Sequence, residues 1–136
     1  MTVIYAREQD LKVEDYVAVV SETSMHMNRP LGNPARLAQM LAGSNLIVTA
    51  RDADGAILGL ARCLSDTAWI CYCSDLAVKE SAQGRGIGQA LLDKCAEILG
   101  PRIGLILVSY PESASFYDRI GMERAQAHYR ARQDDK

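Results

Sequence analysis

The feature that most constrains the fold of this chain is the glycine-rich segment 83–88, which reads QGRGIG. Glycines at three alternate positions let the backbone turn tightly and approach a ligand without side chains in the way. The segment lies between a predicted strand, residues 68–78, and the longest predicted helix, residues 85–99. The free N–H groups at the start of a helix, together with the positive end of its dipole, suit a phosphate group. The sequence therefore predicts a backbone anion site at this turn.

Two other kinds of glycine-rich phosphate site do not fit these residues. A P-loop needs a lysine followed by serine or threonine, and the chain contains no such step. A dinucleotide-binding fingerprint needs a third glycine where this chain has Gln89 or Leu91, depending on the register. That fingerprint also belongs to a parallel strand-helix-strand unit, whereas the strand here follows a predicted antiparallel hairpin. A turn without a ligand remains the alternative.

The rest of the chain predicts strands and helices in the order β-α-α-β-β-β-α-β-α-β. The Asp54-Gly55 step predicts a hairpin between two antiparallel strands. The apolar run 103–108 predicts a strand that is buried on both faces. Alternation of Ala125, Ala127 and Tyr129 with polar residues over 124–130 predicts a half-exposed last strand. The fold class is therefore α/β (α+β), a mixed, mostly antiparallel sheet flanked by helices, in a single domain spanning 1–136.

Composition excludes several classes of protein. The 136 residues are 49% hydrophobic and 24% charged, as in a globular domain. A net charge of −2 without a basic cluster argues against a nucleic-acid partner. No apolar run is long enough to span a membrane, and the N-terminus does not resemble a signal peptide. The four cysteines form no Cys-x-x-Cys pair, so we expect no metal site and instead buried, reduced thiols in a cytoplasmic protein.

Two motifs resemble signatures of the GNAT superfamily of N-acetyltransferases. Residues 83–88 fit every position of Gln/Arg-x-x-Gly-x-Gly/Ala, and the preceding strand ends five residues before Gln83, the usual family spacing. A second signature is matched in part by Ala114, Phe116, Tyr117 and Gly121, with Met122 in place of its last aromatic residue. The order of predicted elements also matches over nearly the whole chain. The resemblance implies acetyl-CoA as the donor and direct transfer of its acetyl group to an amine, either a small molecule or a peptide.

The resemblance also implies the residues that hold the donor. Backbone of the strand would pair with the pantetheine arm, the N–H of Leu76 would face the thioester carbonyl, and the glycine turn would hold the diphosphate. Tyr117 would protonate the departing thiolate, which is uphill by roughly 2 kcal/mol for an ordinary phenol. The implied donor-binding residues are Leu76, Ala77, Val78, Gln83, Gly84, Arg85, Gly86, Ile87, Gly88 and Gln89.

The group that deprotonates the amine does not follow from the motif, because this chain departs from its relatives at that position. Many relatives have a carboxylate in the middle of this strand, at the position where this chain has Tyr72. Asp75 is the nearest carboxylate in the sequence and is our catalytic candidate, with Glu112 as the next. A water chain to solvent and a less basic acceptor both remain open alternatives.

We expect the acceptor pocket to be lined by the loop that follows the first helix and by side chains near the long strand. The substrate-binding candidates are Met25, Arg29, Trp69, Tyr72 and Tyr110. Two alternative functions remain open: an acyl-CoA-binding module without catalysis, and a protein or lysine acetyltransferase. Assembly as a homodimer is a separate open question.

Overall fold

The computed structural model describes residues 2–23 and 27–134. A five-stranded sheet carries two helices on one face and one long helix on the other. Short 3₁₀ turns, Glu80–Ala82 and Pro111–Ser113, precede the third and fourth helices. In chain order the elements are β1 (Val3–Arg7), α1 (Val13–Val20), α2 (Pro34–Ala42), β2 (Leu46–Asp52), β3 (Ile57–Ser65), β4 (Ile70–Val78), α3 (Ile87–Leu99), β5 (Gly104–Ile106) and α4 (Ala114–Arg119).

The strands lie in the order β1-β2-β3-β4-β5. The first four pair antiparallel and β5 pairs parallel to β4, so the predicted mixed, mostly antiparallel sheet is confirmed. The predicted hairpin between β2 and β3 is also confirmed. Its turn is closed by Asp52, whose carboxylate accepts the N–H groups of Asp54 and Ala56, and by Gly55 at a φ of 89°.

Two buried clusters hold the layers together. Apolar side chains of α1 and α2, among them Val19 and Leu37, pack against one face of the sheet. Leu91 and Cys95 of α3 pack against the other face. The predicted burial of the cysteines is confirmed, since all four are buried and free. The sheet is thus covered on both faces, and the chemistry must lie at its ends or in gaps between its strands.

Two expectations about the C-terminal part of the chain are wrong. Residues 124–130 form no strand, and within the described residues no element follows α4. The strand β5 is not buried on both faces, because Gly104 and Ile106 are exposed and Leu105 is only half-buried, and Val108 beyond its end is 63% exposed. Residues 125 and 127, which are apolar positions of this alternation, are alanines. Burying so small a side chain gains too little free energy to offset the entropy lost when the backbone is ordered.

The strand β4 changes its pairing at Ser74. Arg62 of β3 lies opposite Asp75, but the next residue of β3, Cys63, lies opposite Cys73, so Ser74 is an extra residue without a partner. Such a β-bulge reverses the alternation of side chains on the strand. Cys73 before the bulge faces α3, whereas Asp75 after it faces α1.

Candidate active site

The edge of β4 that faces β5 is open over most of its length. The two strands pair only through Ile70–Tyr72 and Gly104–Ile106, and then they diverge. Lys79 donates its backbone N–H to Leu58 of β3. Because the main-chain groups of successive residues in a strand point to opposite sides, those of Leu76 and Val78 point away from β3, toward the open side. The Val78 carbonyl accepts a hydrogen bond of 3.1 Å from the side chain of Gln83. An extended ligand could therefore pair with β4 as an added strand.

The glycine turn leads from this open edge into α3. Gly84 and Gly86 have φ angles of 80° and 78°, a conformation that side chains strongly disfavour. A Cβ built at either position would meet no atom within 4 Å, so the space above the turn is open to a ligand. No side chain caps the start of α3, and the first N–H groups of a helix have no acceptor within it. The turn thus fits a phosphate-bearing group such as coenzyme A.

The short helix α4 brings Tyr117 close to the open edge. The half-buried ring of Tyr117 lines a cleft together with Leu76 and Cys73. Burial, with a smaller contribution from Cys73, raises the pKa of Tyr117 to about 12. The phenol is therefore protonated at every physiological pH and can donate a hydrogen bond or a proton.

This cleft has a volume of about 1130 Å³, and three of the five predicted acceptor-binding residues line it. Arg29, Tyr72 and Tyr110 line it. Trp69 does not: its side chain is 76% exposed in the turn before β4. Met25 lies outside the described residues. The lining residues are Met27, Asn28, Arg29, Pro30, Arg36, Met40, Arg62, Tyr72, Cys73, Ser74, Leu76, Leu107, Val108, Ser109, Tyr110, Ser113, Tyr117, Ala127, His128, Tyr129 and Arg132.

Asp75 is buried beneath the cleft and bound from three directions. Its carboxylate accepts hydrogen bonds from Tyr16 Oη at 2.6 Å, Arg29 Nε at 2.6 Å and Arg62 Nε at 2.7 Å. Burial alone would raise the pKa of Asp75, but Arg62, Arg29 and the Tyr16 hydroxyl outweigh it, and the net shift is downward. A carboxylate held in this way is a poor proton acceptor. The geometry therefore argues against Asp75 as the catalytic base.

Sequence reasoning missed the basic side chains of the cleft. Arg36, Arg62, His128 and Arg132 all line it, and none was a candidate. One signal was available for Arg62, which stands in the otherwise apolar segment 57–64. An arginine in a buried strand needs a charged partner. The partner, Asp75, lies across the β3–β4 pair.

Neither a metal centre nor a transmembrane helix is found in the described part of the chain. Over residues 2–23 and 27–134, no group of His, Cys, Asp and Glu side chains could hold a metal ion. No helix in those ranges has the length and apolar character needed to cross a bilayer.

Comparisons with known proteins identify the family of this chain. The model of the acetyltransferase (GNAT) domain family matches residues 42–124. A crystal structure of a putative acetyltransferase from Deinococcus radiodurans is 22% identical, with a TM-score of 0.76 over 96% of this chain and 88% of that one.

Two other solved structures are similar over nearly their whole length. A GNAT-family acetyltransferase from Streptococcus pneumoniae is 22% identical, with a TM-score of 0.74 over 98% of this chain and 100% of that one. A probable acetyltransferase from Staphylococcus aureus is 19% identical, with a TM-score of 0.75 over 96% and 100%. The family match includes both the glycine turn and Tyr117. This chain therefore belongs to the GNAT acetyltransferase family, whose members generally use acetyl-CoA.

Proposed function

We propose that this protein transfers the acetyl group of acetyl-CoA directly to an amine, without an acyl-enzyme. One observation carries the proposal: the open edge of β4 connects the glycine turn to the cleft that holds Tyr117. At that edge the carbonyl of Val78 accepts a hydrogen bond from the side chain of Gln83 in the turn. Leu76, at the same edge, lines the cleft together with Tyr117. A ligand with a diphosphate at one end and a thioester at the other would span this path.

Each part of the path has a separate role. The main-chain N–H groups of 85–89 would hold the diphosphate, because several hydrogen bonds to a charged oxygen, at roughly 1.5–3 kcal/mol each, outweigh the helix dipole. Leu76 would donate its N–H to the acetyl carbonyl oxygen and stabilise the negative charge that develops there. Acetyl-CoA supplies an activated acetyl group as a thioester.

Tyr117 would give its proton to the departing sulfur. Because its pKa is raised to about 12, this transfer to a solvated thiolate near 8.5 is more unfavourable than for a free phenol. The same burial that makes the phenol a weaker acid also makes a neighbouring thiolate a stronger base. The role of Tyr117 therefore requires the sulfur to lie in the same dry part of the cleft.

The amine must lose a proton before it attacks. Asp75 is occupied by two guanidinium groups, and none of the described residues that line the cleft is a carboxylate. We assign the proton to solvent and expect the protein to bind the neutral fraction of the amine.

The four free cysteines are buried in the core, and direct transfer needs none of them. Free thiols also favour the cytoplasm as the location.

An acyl-CoA-binding module without catalysis is the competing function, and the lack of a carboxylate among the described lining residues favours it. The two functions are separated by measuring both binding and turnover. Calorimetry with coenzyme A tests the binding path, and release of free thiol from acetyl-CoA in the presence of an amine panel tests transfer. Binding with amine-dependent thiol release supports the transferase. Binding without release for any amine would support the module.

A further inference from the structure

The cleft differs in charge from the rest of the chain. The whole sequence has a net charge of −2, yet four arginines and one histidine line the cleft. Among the described lining residues there is no aspartate or glutamate. The arginines come from three separate parts of the chain: Arg29 and Arg36 around the start of α2, Arg62 in β3, and Arg132 near the C-terminus.

Asp75 does not fully neutralise the two arginines that it binds. It is a single carboxylate shared by Arg29 and Arg62, so the three groups together keep one positive charge. The two guanidinium groups are held firmly, because Arg29 also donates to the Asn28 and Ser74 carbonyls and Arg62 to the Ser44 and Ser74 hydroxyls. Preorganised guanidinium groups bind carboxylate and phosphate at little entropic cost.

The guanidinium of Arg62 still has donor capacity. It has five N–H groups, and its hydrogen bonds go to Asp75, Ser44 and Ser74. Its side chain is only 8% exposed, and the exposed part lines the cleft. A nearly buried cation with N–H groups to spare is stabilised most by an anionic partner.

These basic groups are separate from the expected site of the coenzyme's diphosphate. No residue of the turn 83–89 lines the cleft, whereas Leu76 and Tyr117, which mark the thioester end of the path, do. We propose that the acceptor is a small amine that carries a second, anionic group, a carboxylate or a phosphate, and that Arg29, Arg36 and Arg62 bind that group. The inference rests on the proposed function, because it describes the acceptor of that reaction. Amines with several positive charges would be repelled by the same side chains.

The test compares amines that differ only in the anionic group. One pair is O-phosphoethanolamine and ethanolamine, and the other is β-alanine and its amide. We expect kcat/KM to be at least about tenfold higher for the anionic member of one pair, the value of one charged hydrogen bond, and the responding pair shows whether phosphate or carboxylate is preferred. Equal rates within both pairs, or a preference for spermidine, would overturn the inference and leave the proposed function intact.

A pair of variants separates recognition from general electrostatics. Arg36→Gln removes a charge from the cleft, and Arg102→Gln removes one from an exposed turn outside it. We expect Arg36→Gln to raise KM for the anionic acceptor about tenfold, with KM for acetyl-CoA unchanged, and Arg102→Gln to change neither. Equal effects of the two variants would contradict the inference. Failure to acetylate any amine while coenzyme A still binds would overturn the proposed function and the inference together.

Discussion

The Phe116 ring lies against the backbone of Gly88, so that a Cβ built on Gly88 would come within 3.1 Å of Phe116 Cζ. This contact joins the first turn of α3 to α4, which also carries Tyr117. Phe116 and Tyr117 meet edge to face, with ring centroids 5.0 Å apart. The glycine turn and the proposed acid are therefore linked through packing, and the position of one depends on the other.

We expect Gly88→Ala to destabilise the protein by up to about 2 kcal/mol, because overpacking of this contact costs about 1–3 kcal/mol and the better helix propensity of alanine recovers about 1 kcal/mol. Displacement of α4 should also reduce kcat, since Tyr117 moves with Phe116. Urea denaturation and steady-state kinetics measure the two effects. In the double variant with Phe116→Leu the methyl group has more room, so both losses should shrink. Additive losses in the double variant would show that the contact does not transmit the change.

Gly86→Ala tests the anion site against a matched control. Gly86 and Gly55 have similar positive φ angles, and a Cβ at either meets no atom within 4 Å, but Gly55 lies in the β2–β3 turn, outside the segment 83–89. Each alanine variant should lose about 1–2 kcal/mol of stability from backbone strain. Only Gly86→Ala should weaken coenzyme A binding, by about tenfold for one lost hydrogen bond, as measured by calorimetry. Equal affinities of the two variants would exclude the turn as the diphosphate site.

Tyr117→Phe should lower kcat by about 10²-fold or more while the Kd for coenzyme A is unchanged, because the hydroxyl acts only on the departing sulfur. Stopped-flow thiol release and calorimetry give the two values. A variant with unchanged kcat would show that the tyrosine is a packing residue, and a variant that no longer binds coenzyme A would show that its hydroxyl serves binding.

The pH dependence of the reaction follows from the same residue. The pKa of Tyr117 is raised to about 12, so its protonated, active form persists as the pH rises to 10. With no base assigned, kcat/KM should rise about tenfold per pH unit until the amine reaches its own pKa, about 10.4 for an alkylamine. A profile from pH 6.5 to 10 that levels off near neutrality for an alkylamine would instead indicate a protein base.

Asp75→Asn should cost about 3–5 kcal/mol of stability, since it leaves two largely buried guanidinium groups without a counter-charge. The control is Asp118→Asn, which breaks the exposed ion pair with Arg124 and should change stability far less, because solvent screens that pair. Chemical denaturation of both variants measures the difference. Similar small losses would show that the buried cluster contributes little.

Acid should remove the same stabilisation from the unmodified protein. The pKa of Asp75 is lower in the folded state than in the unfolded chain, so the stabilisation is complete above the unfolded pKa of about 3.9. It is lost as the pH falls through the folded pKa. The free energy of unfolding should therefore fall less below pH 4 in Asp75→Asn than in the unmodified protein, and parallel pH curves would contradict the assignment.

Local signals in the sequence were sufficient for many of the elements. Asn33 caps α2 by accepting the N–H of Arg36, Pro34 begins that helix, and Gly43 follows its end, and each is a residue type that favours its position. The long helix was predicted to begin at residue 85 and begins at Ile87, because Gly86 takes a left-handed conformation at its N-cap. These features depend on neighbours in the chain, so the sequence displays them directly.

The surroundings of Asp75 could not be predicted in this way. Arg29 and Tyr16 lie 46 and 59 residues from it in the sequence, and only the packing of α1 and its following loop on the sheet brings them together. The bulge at Ser74 decides which face Asp75 occupies, and no glycine or proline in the sequence marks it. The predicted last strand failed for a related reason, since alternation alone does not show whether a strand gains enough from pairing.

The extra residue at Ser74 divides one strand into two independently adjustable halves. Upstream of it, Tyr72 lines the cleft proposed for the acceptor, and downstream of it, Leu76 and Val78 present main-chain groups to the path proposed for the donor. Side chains on the upstream half can vary without disturbing backbone recognition on the downstream half. A change of acceptor would thus require few substitutions, and redesign of specificity should begin at Tyr72 and leave residues 75–78 untouched.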